Sequence, residues 1–206
     1  MGTIRRFDLN EIKDKYNTKV FVETGTMYGD GVKYAQDYNF EKIISIEIEP
    51  AIHQTATDNF KDHNNVEILL GDSSKVLPDR LESITDNTLF WLDAHFPGAD
   101  AGLVSYESCK QIEYDTRVPL EAELTAIAKR VKTYKDVIIA DDLWLYEEGS
   151  FGGGNMNDHA RQHNQNITKE EIVGKDASFA YNLFEETHDI KKYYPDQGYL
   201  VFLPKL

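Results

Sequence analysis

Residues 19–31 read KVFVETGTMYGDG: an apolar run, an acidic residue, then two glycines four apart. Val20, Phe21 and Val22 are apolar without alternation, the pattern of a strand buried on both faces. In the stretch that follows, Gly25 and Gly29 let the backbone turn tightly between strand and helix and pass close to a ligand. The same grammar recurs along the chain. KIISIEIE (42–49), VEILL (66–70), TLFWLD (88–93), DVIIAD (136–141) and GYLVFL (198–203) are further short apolar runs. Helix-length stretches lie between them at 29–37, 51–61, 74–84 and 119–133. In the last, Leu120, Leu124, Ile127, Ala128 and Val131 form one apolar stripe, and Pro119 suits a first helical turn. Strand–helix alternation of this kind predicts an α/β fold: a doubly wound, mostly parallel sheet between two helical layers, with right-handed crossovers.

At 206 residues the chain is read as one domain over 1–206, with insertions at 95–118 and 146–168 that break the alternation. Lysine and arginine total 22 against 36 acids, a net charge of −14, which disfavours nucleic acid and anionic membranes as partners. Cys109 is the single cysteine, so neither an internal disulfide nor a cysteine-based zinc site is available, and a reducing compartment fits. No apolar run approaches the roughly 20 residues of a membrane helix. The start, MGTIRRFDLNEIK, has no apolar stretch behind its arginines and does not read as a secretory signal. The expectation is a cytoplasmic enzyme acting on a small molecule.

In doubly wound sheets ligands sit beyond the carboxyl ends of the strands. Here those ends carry Glu23, Glu47, Asp72, Asp93 and the pair Asp141–Asp142, every one acidic. Glu47 falls about 20 residues after Gly25, the distance at which a carboxylate accepts both hydrogen bonds of an adenosine ribose diol. Glu23 sits where a dinucleotide's pyrophosphate would rest, and a carboxylate there repels phosphate and attracts a cation. S-adenosyl-L-methionine carries an ammonium and a sulfonium and no phosphate, so it fits where NAD does not. Asp72 is placed either to accept from the adenine amine or to cap the helix starting near Ser74.

The stretch from Val20 to about Leu77 resembles the class I S-adenosylmethionine-dependent methyltransferases. FVETGTMYGDG is similar to their first motif (acidic-x-Gly-x-x-x-Gly), IISIEIEP to their second and VEILLGDSSKVLP to their third, while GYLVFLPKL resembles their closing strand. Met27 departs from the commonest first motif. The resemblance implies a seven-stranded, Rossmann-like sheet with an antiparallel last strand. It also implies Glu23 and Gly25 near the methionine moiety, Glu47 on the ribose and Asp72 near adenine; Thr26, Gly29, Ser73 and Asp93 are further cofactor-binding candidates. It covers about two-thirds of the chain and fails in the two insertions.

The fourth and fifth strands should be neighbours, about 4.8 Å apart. Asp93, Asp141 and Asp142 would then repel one another unless a cation intervened, and a hard divalent ion such as Mg²⁺ answers that. Such an ion would lower the pKa of an acceptor hydroxyl and fix its direction. WLDAH and IADDL resemble the metal-binding strand ends of catechol-type and macrocin-type O-methyltransferases. Against this, successive strand residues face opposite ways, so one of the two aspartates can merely cap a turn.

Asp93 and His95 are the catalytic candidates, His95 as a general base or as a hydrogen-bonded structural histidine. His159 and His163 have helical i, i+4 spacing, but their segment reads as solvated rather than metal-binding. Trp144 is a candidate for an acceptor pocket, Trp91 for the core. The insertions read as lids, substrate walls or disorder. The leading function is O-methylation of a small hydroxylated acceptor, a sugar or secondary metabolite. A NAD-dependent oxidoreductase or epimerase and a non-catalytic methyltransferase-like binding module are the alternatives. A homodimer, with the lid beside Tyr193 and Tyr194 packing on a second subunit, is a further expectation.

Overall fold

The computed structural model describes residues 2–205. Each of the apolar runs forms a strand: β1 (Val20–Thr24), β2 (Lys42–Glu47), β3 (Val66–Leu70), β4 (Thr88–Leu92), β5 (Val137–Ala140) and β7 (Tyr199–Pro204). A further strand, β6 (His188–Tyr193), precedes the last. The order is β3-β2-β1-β4-β5-β7-β6, with β1 to β5 parallel and β7 antiparallel to both its neighbours. This is a doubly wound, Rossmann-like sheet with an antiparallel last strand, as the sequence leads one to expect. β6 escapes sequence reading because it is an edge strand: HDIKKY alternates weakly and carries Lys191 and Lys192, the charges that keep an exposed edge from pairing with other chains.

Alternate residues of each strand feed opposite faces. Phe21, Ile43, Leu89, Trp91, Val137 and Ile139 pack on one face with α1 (Leu9–Tyr16), α2 (Asp30–Gln36) and Phe60 at the end of α3 (Pro50–Phe60). Val22, Ile44, Phe90, Ile138 and Phe202 pack on the other with α4 (Ser73–Leu81), α6 (Leu120–Ala128) and α9 (Ser178–Phe184). Among the described residues no helix is long and apolar enough to cross a membrane.

Both insertions are built structure. The first carries α5 (Tyr114–Arg117) and is closed on itself, the Phe96 N–H donating to the Arg117 carbonyl at 2.8 Å. The buried Arg117 guanidinium donates back to the carbonyls of Lys110 and Ile112 at 3.0 and 3.3 Å, satisfying loop backbone that would otherwise be buried without partners. The second carries α7 (Met156–Gln162) and sinks Tyr146, Phe151, Met156, Ala160 and Ile167 into the core, followed by α8 (Lys169–Ile172). Those apolar residues are too irregularly spaced to show a period.

Candidate active site

β1 and β2 run in register with Glu23 opposite Ser45, so the two side chains share a face. The Ser45 hydroxyl donates to Glu23 Oε2 at 2.6 Å and lies 2.6 Å from Thr26 Oγ1. Glu23 Oε1 faces α2, where a Cβ on Gly31 would come within 1.8 Å of it. Burial pushes the Glu23 carboxyl up to about 8, against the opposing pull of the Ser45 hydrogen bond, with Glu47 raising it further. The side chain therefore stands neutral at pH 7, underneath the turn.

Gly25 has φ +82°, and a Cβ there would lie 2.9 Å from the Asp93 carbonyl oxygen at the end of β4. Met27 occupies the left-handed region at φ 47°, the conformation a glycine would adopt without strain, so the departure from the commonest motif leaves the turn's path intact. Its N–H donates to Glu47 Oε2 and the Glu49 N–H to Glu47 Oε1, both at 2.9 Å. One backbone donor on each oxygen holds the Glu47 carboxylate rigid while lone pairs on both remain for a ligand.

A cavity of about 90 Å³ opens beside this turn. Gly25, Glu47, Asp72, Ser73 and Asp93 line it, as does Met27. Glu23, Thr26 and Gly29 do not; they stand behind the wall and shape it. Thr26 is tied to Ser45, and Gly29, at φ +84°, makes way for the Phe60 ring, which a Cβ would approach to 2.3 Å. Asp72 caps α4 and lines the cavity at the same time. Its Oδ1 accepts from the Ser74 N–H (3.0 Å) and hydroxyl (2.7 Å), its Oδ2 from Thr116 Oγ1 (2.6 Å) and Lys75 Nζ (3.0 Å). Partial burial works to raise its pKa, but these donors, Thr116 and Ser74 foremost, hold it below the usual carboxylate value.

At the ends of β4 and β5 the structure brings together Asp93, His95 and Asp142, one ligand atom of each lying within 4.8 Å of the others. Asp142 has φ 58°, and that left-handed step swings its carboxylate toward His95. Asp141 stays just outside that trio: a Cβ on Gly2 would lie 1.9 Å from its Oδ2, and its Oδ1 accepts from the Asp142 N–H at 2.7 Å. Consecutive residues leaving a strand on opposite sides account for the split. The candidate ligand trio is Asp93, His95 and Asp142, with Asp141 beside it.

His95 Nδ1 lies 3.2 Å from Asp142 Oδ2 and 3.1 Å from the Asp93 carbonyl oxygen, and Nε2 is 3.2 Å from Asp100 Oδ2. Burial disfavours the imidazolium, but Asp142 and Asp100 outweigh it and the pKa stands well above 6.5. Burial would raise Asp100, yet its bonds to His95 and to Tyr106 bring it down to about 2. Asp93 is pushed well above its ordinary value by burial and by Asp141 and Asp142, and Asp142 is raised by burial too. The imidazolium is thereby favoured, held between the Asp142 and Asp100 carboxylates and the Asp93 carbonyl. Two carboxylates and an imidazole also form a donor set for a divalent ion, with more nitrogen character than Mg²⁺ prefers and well suited to Mn²⁺ or Zn²⁺.

A second cavity, of about 210 Å³, lies on the far side of this cluster, and His95, Phe96 and Asp100 line both cavities. Its other walls include Asp142, Tyr106, Trp144, His159, Gln165 and Gln197. Trp144 packs edge-on to His159, centroids 5.3 Å apart, and the rings of His159 and His163 are 4.3 Å apart. Trp91 lies in the core. A small void of about 10 Å³ separates Asp93, Asp141 and Asp142 from Glu123 on α6. Both Glu123 carboxyl oxygens are buried without a hydrogen-bond partner, and burial pushes the group up to about 7, offset in part by the nearby Ser73 and Thr24 hydroxyls. The void is about the size of one water, which would meet that need.

Asp100, Glu123 and Gln197 are the residues that sequence reading misses. Glu123 lies one residue from Leu124 within the apolar stripe of α6, a carboxylate on a face that should be greasy, and that misfit is its one legible signal. Asp100 and Gln197 reach the site through loops that return from a distance, and no spacing announces them.

No family model matches the chain, and no curated protein does. Solved structures match in fold. A SAH-bound methyltransferase of Podospora anserina, PaMTH1, superposes with a TM-score of 0.60 at 15% identity, over 96% of this chain and 76% of that one. An O-methyltransferase from Bacillus cereus in complex with SAH gives 0.52 at 12% identity, over 96% and 79%. At such identities the likeness is one of fold.

Proposed function

We propose that the chain is an S-adenosylmethionine-dependent methyltransferase acting on a hydroxyl of a small acceptor, assisted by a divalent ion. The observation that carries this is the pair of cavities meeting at one wall, His95–Phe96–Asp100, with Asp93 and Asp142 on either side of it. The methyltransferases of like fold solved with SAH support the same reading of the first cavity.

The first cavity fits an adenosine donor without phosphates. Glu47, oriented by two main-chain donors, presents both oxygens for the ribose diol. Gly25 keeps the wall thin where a side chain would strike the end of β4. Asp72 and Ser73 close the opposite end, and among the described residues no lysine or arginine lines the cavity to receive a pyrophosphate. When bound, S-adenosylmethionine supplies a methyl group on a positive sulfur, and an ion held by Asp93, His95 and Asp142 supplies a Lewis acid that acidifies the acceptor hydroxyl. The chain's own residues set direction and protonation. Asp142 lines the second cavity beside His95 and orients the acceptor hydroxyl at the ion, and the acidified proton leaves through that cavity. Phe96 and the insertion behind it separate the reacting groups from water.

Calorimetric titration with SAH, in the presence and absence of EDTA, tests both halves. Binding in both conditions, with Mn²⁺ or Zn²⁺ retained only without chelator, is expected. No SAH binding in either condition defeats the methyltransferase reading, and SAH binding with no metal uptake removes the ion.

A further inference from the structure

Glu123 breaks the logic of the helix that carries it. It lies on the buried side of α6 with Leu120, Leu124 and Ile127, and is 1% exposed. Leucine there would fill comparable space and suit a helix as well, with no polar atom to bury. A buried carboxyl whose two oxygens find no partner costs stability, and an apolar side chain of similar shape in its place is often neutral or stabilising. The first turn of α6 favours an acid, but Glu121 supplies that charge at the surface, where Lys175 pairs with it. Folding alone asks for no glutamate at 123.

The surroundings of Glu123 supply a reason. The void it lines is walled by Asp93, His95 and Asp142, the three candidate ligands, and by Asp141. Among the described residues the set of mutually close ligand atoms stops at those three, so Glu123 faces the trio across the void rather than joining it. Three protein ligands leave a divalent ion short of the about four to six it takes, and water fills the remainder. At about 10 Å³ the void holds one water. Carboxylates standing behind a metal's ligands in this way set its affinity from outside the coordination shell.

We propose that Glu123 is a positioning residue for the ion, anchoring it between Asp93, His95 and Asp142 through one water in the void. This rests on the ion half of the proposed function and adds to it a residue from outside the ligand set. The test uses the full chain with Glu123→Leu and Glu123→Gln. Mn²⁺ is titrated calorimetrically into each protein, and melting is followed separately in EDTA. Glu123→Leu should bind Mn²⁺ about 10- to 100-fold more weakly than the wild type while melting in EDTA at or above the wild-type temperature. Glu123→Gln, which keeps an oxygen for the water, should recover part of that affinity. Equal Mn²⁺ affinity in the wild type and Glu123→Leu overturns the inference. So does a Glu123→Leu protein that melts below the wild type in EDTA, since Glu123 would then be holding the fold. A wild type that binds SAH but no Mn²⁺ removes the ion and this inference with it, and leaves the methyltransferase reading standing.

Discussion

Replacing Glu23 by Gln removes one buried titration while keeping the side chain's size and an oxygen for the Ser45 hydroxyl. The Glu23 carboxyl has a folded pKa of about 8 against an ordinary 4.5. Between those values the folded chain holds a proton that the unfolded chain has released. Its contribution to stability is therefore whole below about pH 4.5 and is lost as pH climbs through about 8. Each pH unit inside the window costs about 1.4 kcal/mol, and allowing for half-ionisation near pH 8 the loss from pH 6 to pH 8 is about 2 kcal/mol. The group is 2% exposed, so solvent screening does not erode the figure. Urea denaturation of both proteins at pH 6, 7 and 8 and constant salt isolates the effect, because every other titrating group is common to the two. The stability of Glu23→Gln relative to the wild type should rise by about 2 kcal/mol over that interval. A difference that stays constant with pH would refute the buried neutral carboxyl, and with it the view that Glu23 supports the turn from beneath rather than meeting a cationic ligand.

Gly31→Ala should destabilise by about 2 kcal/mol, since overpacking against Glu23 Oε1 outweighs alanine's ~1 kcal/mol helical advantage. In a Glu23→Ala background the same change should be neutral or stabilising by thermal denaturation, and a stabilising Gly31→Ala in the wild type contradicts the contact. Divalent-ion affinity should rise with pH between 6 and 8, by up to about tenfold per unit for each proton displaced, because His95 must lose a proton before it can ligate. Calorimetry with Mn²⁺ or Zn²⁺ reads this directly, and a pH-independent affinity would exclude His95 from the ligand set.

The strands were legible because burial on both faces demands uninterrupted apolar residues, and VFV, IISI, LFWL and VII can hardly do anything else in water. Their carboxyl ends were legible for a second reason: a chain leaving a buried strand reaches solvent or a ligand there, and an acidic residue at each of those ends marks the rim. Side-chain direction past the strand end was not. Asp141 and Asp142 are adjacent in sequence, and the choice between them turned on one left-handed φ that brought Asp142 to His95 and left Asp141 against Gly2.

Local pattern alone thus determined the α/β alternation, the glycine turn after β1 and the acidic rim, because each depends on the burial or backbone freedom of a few consecutive residues. Only the tertiary structure decided which acids face a cavity, which lie behind it, and where Asp100, Glu123 and Gln197 go. Those placements depend on loops closing over tens of residues, and that closure is governed by packing against distant elements rather than by any period within the loop.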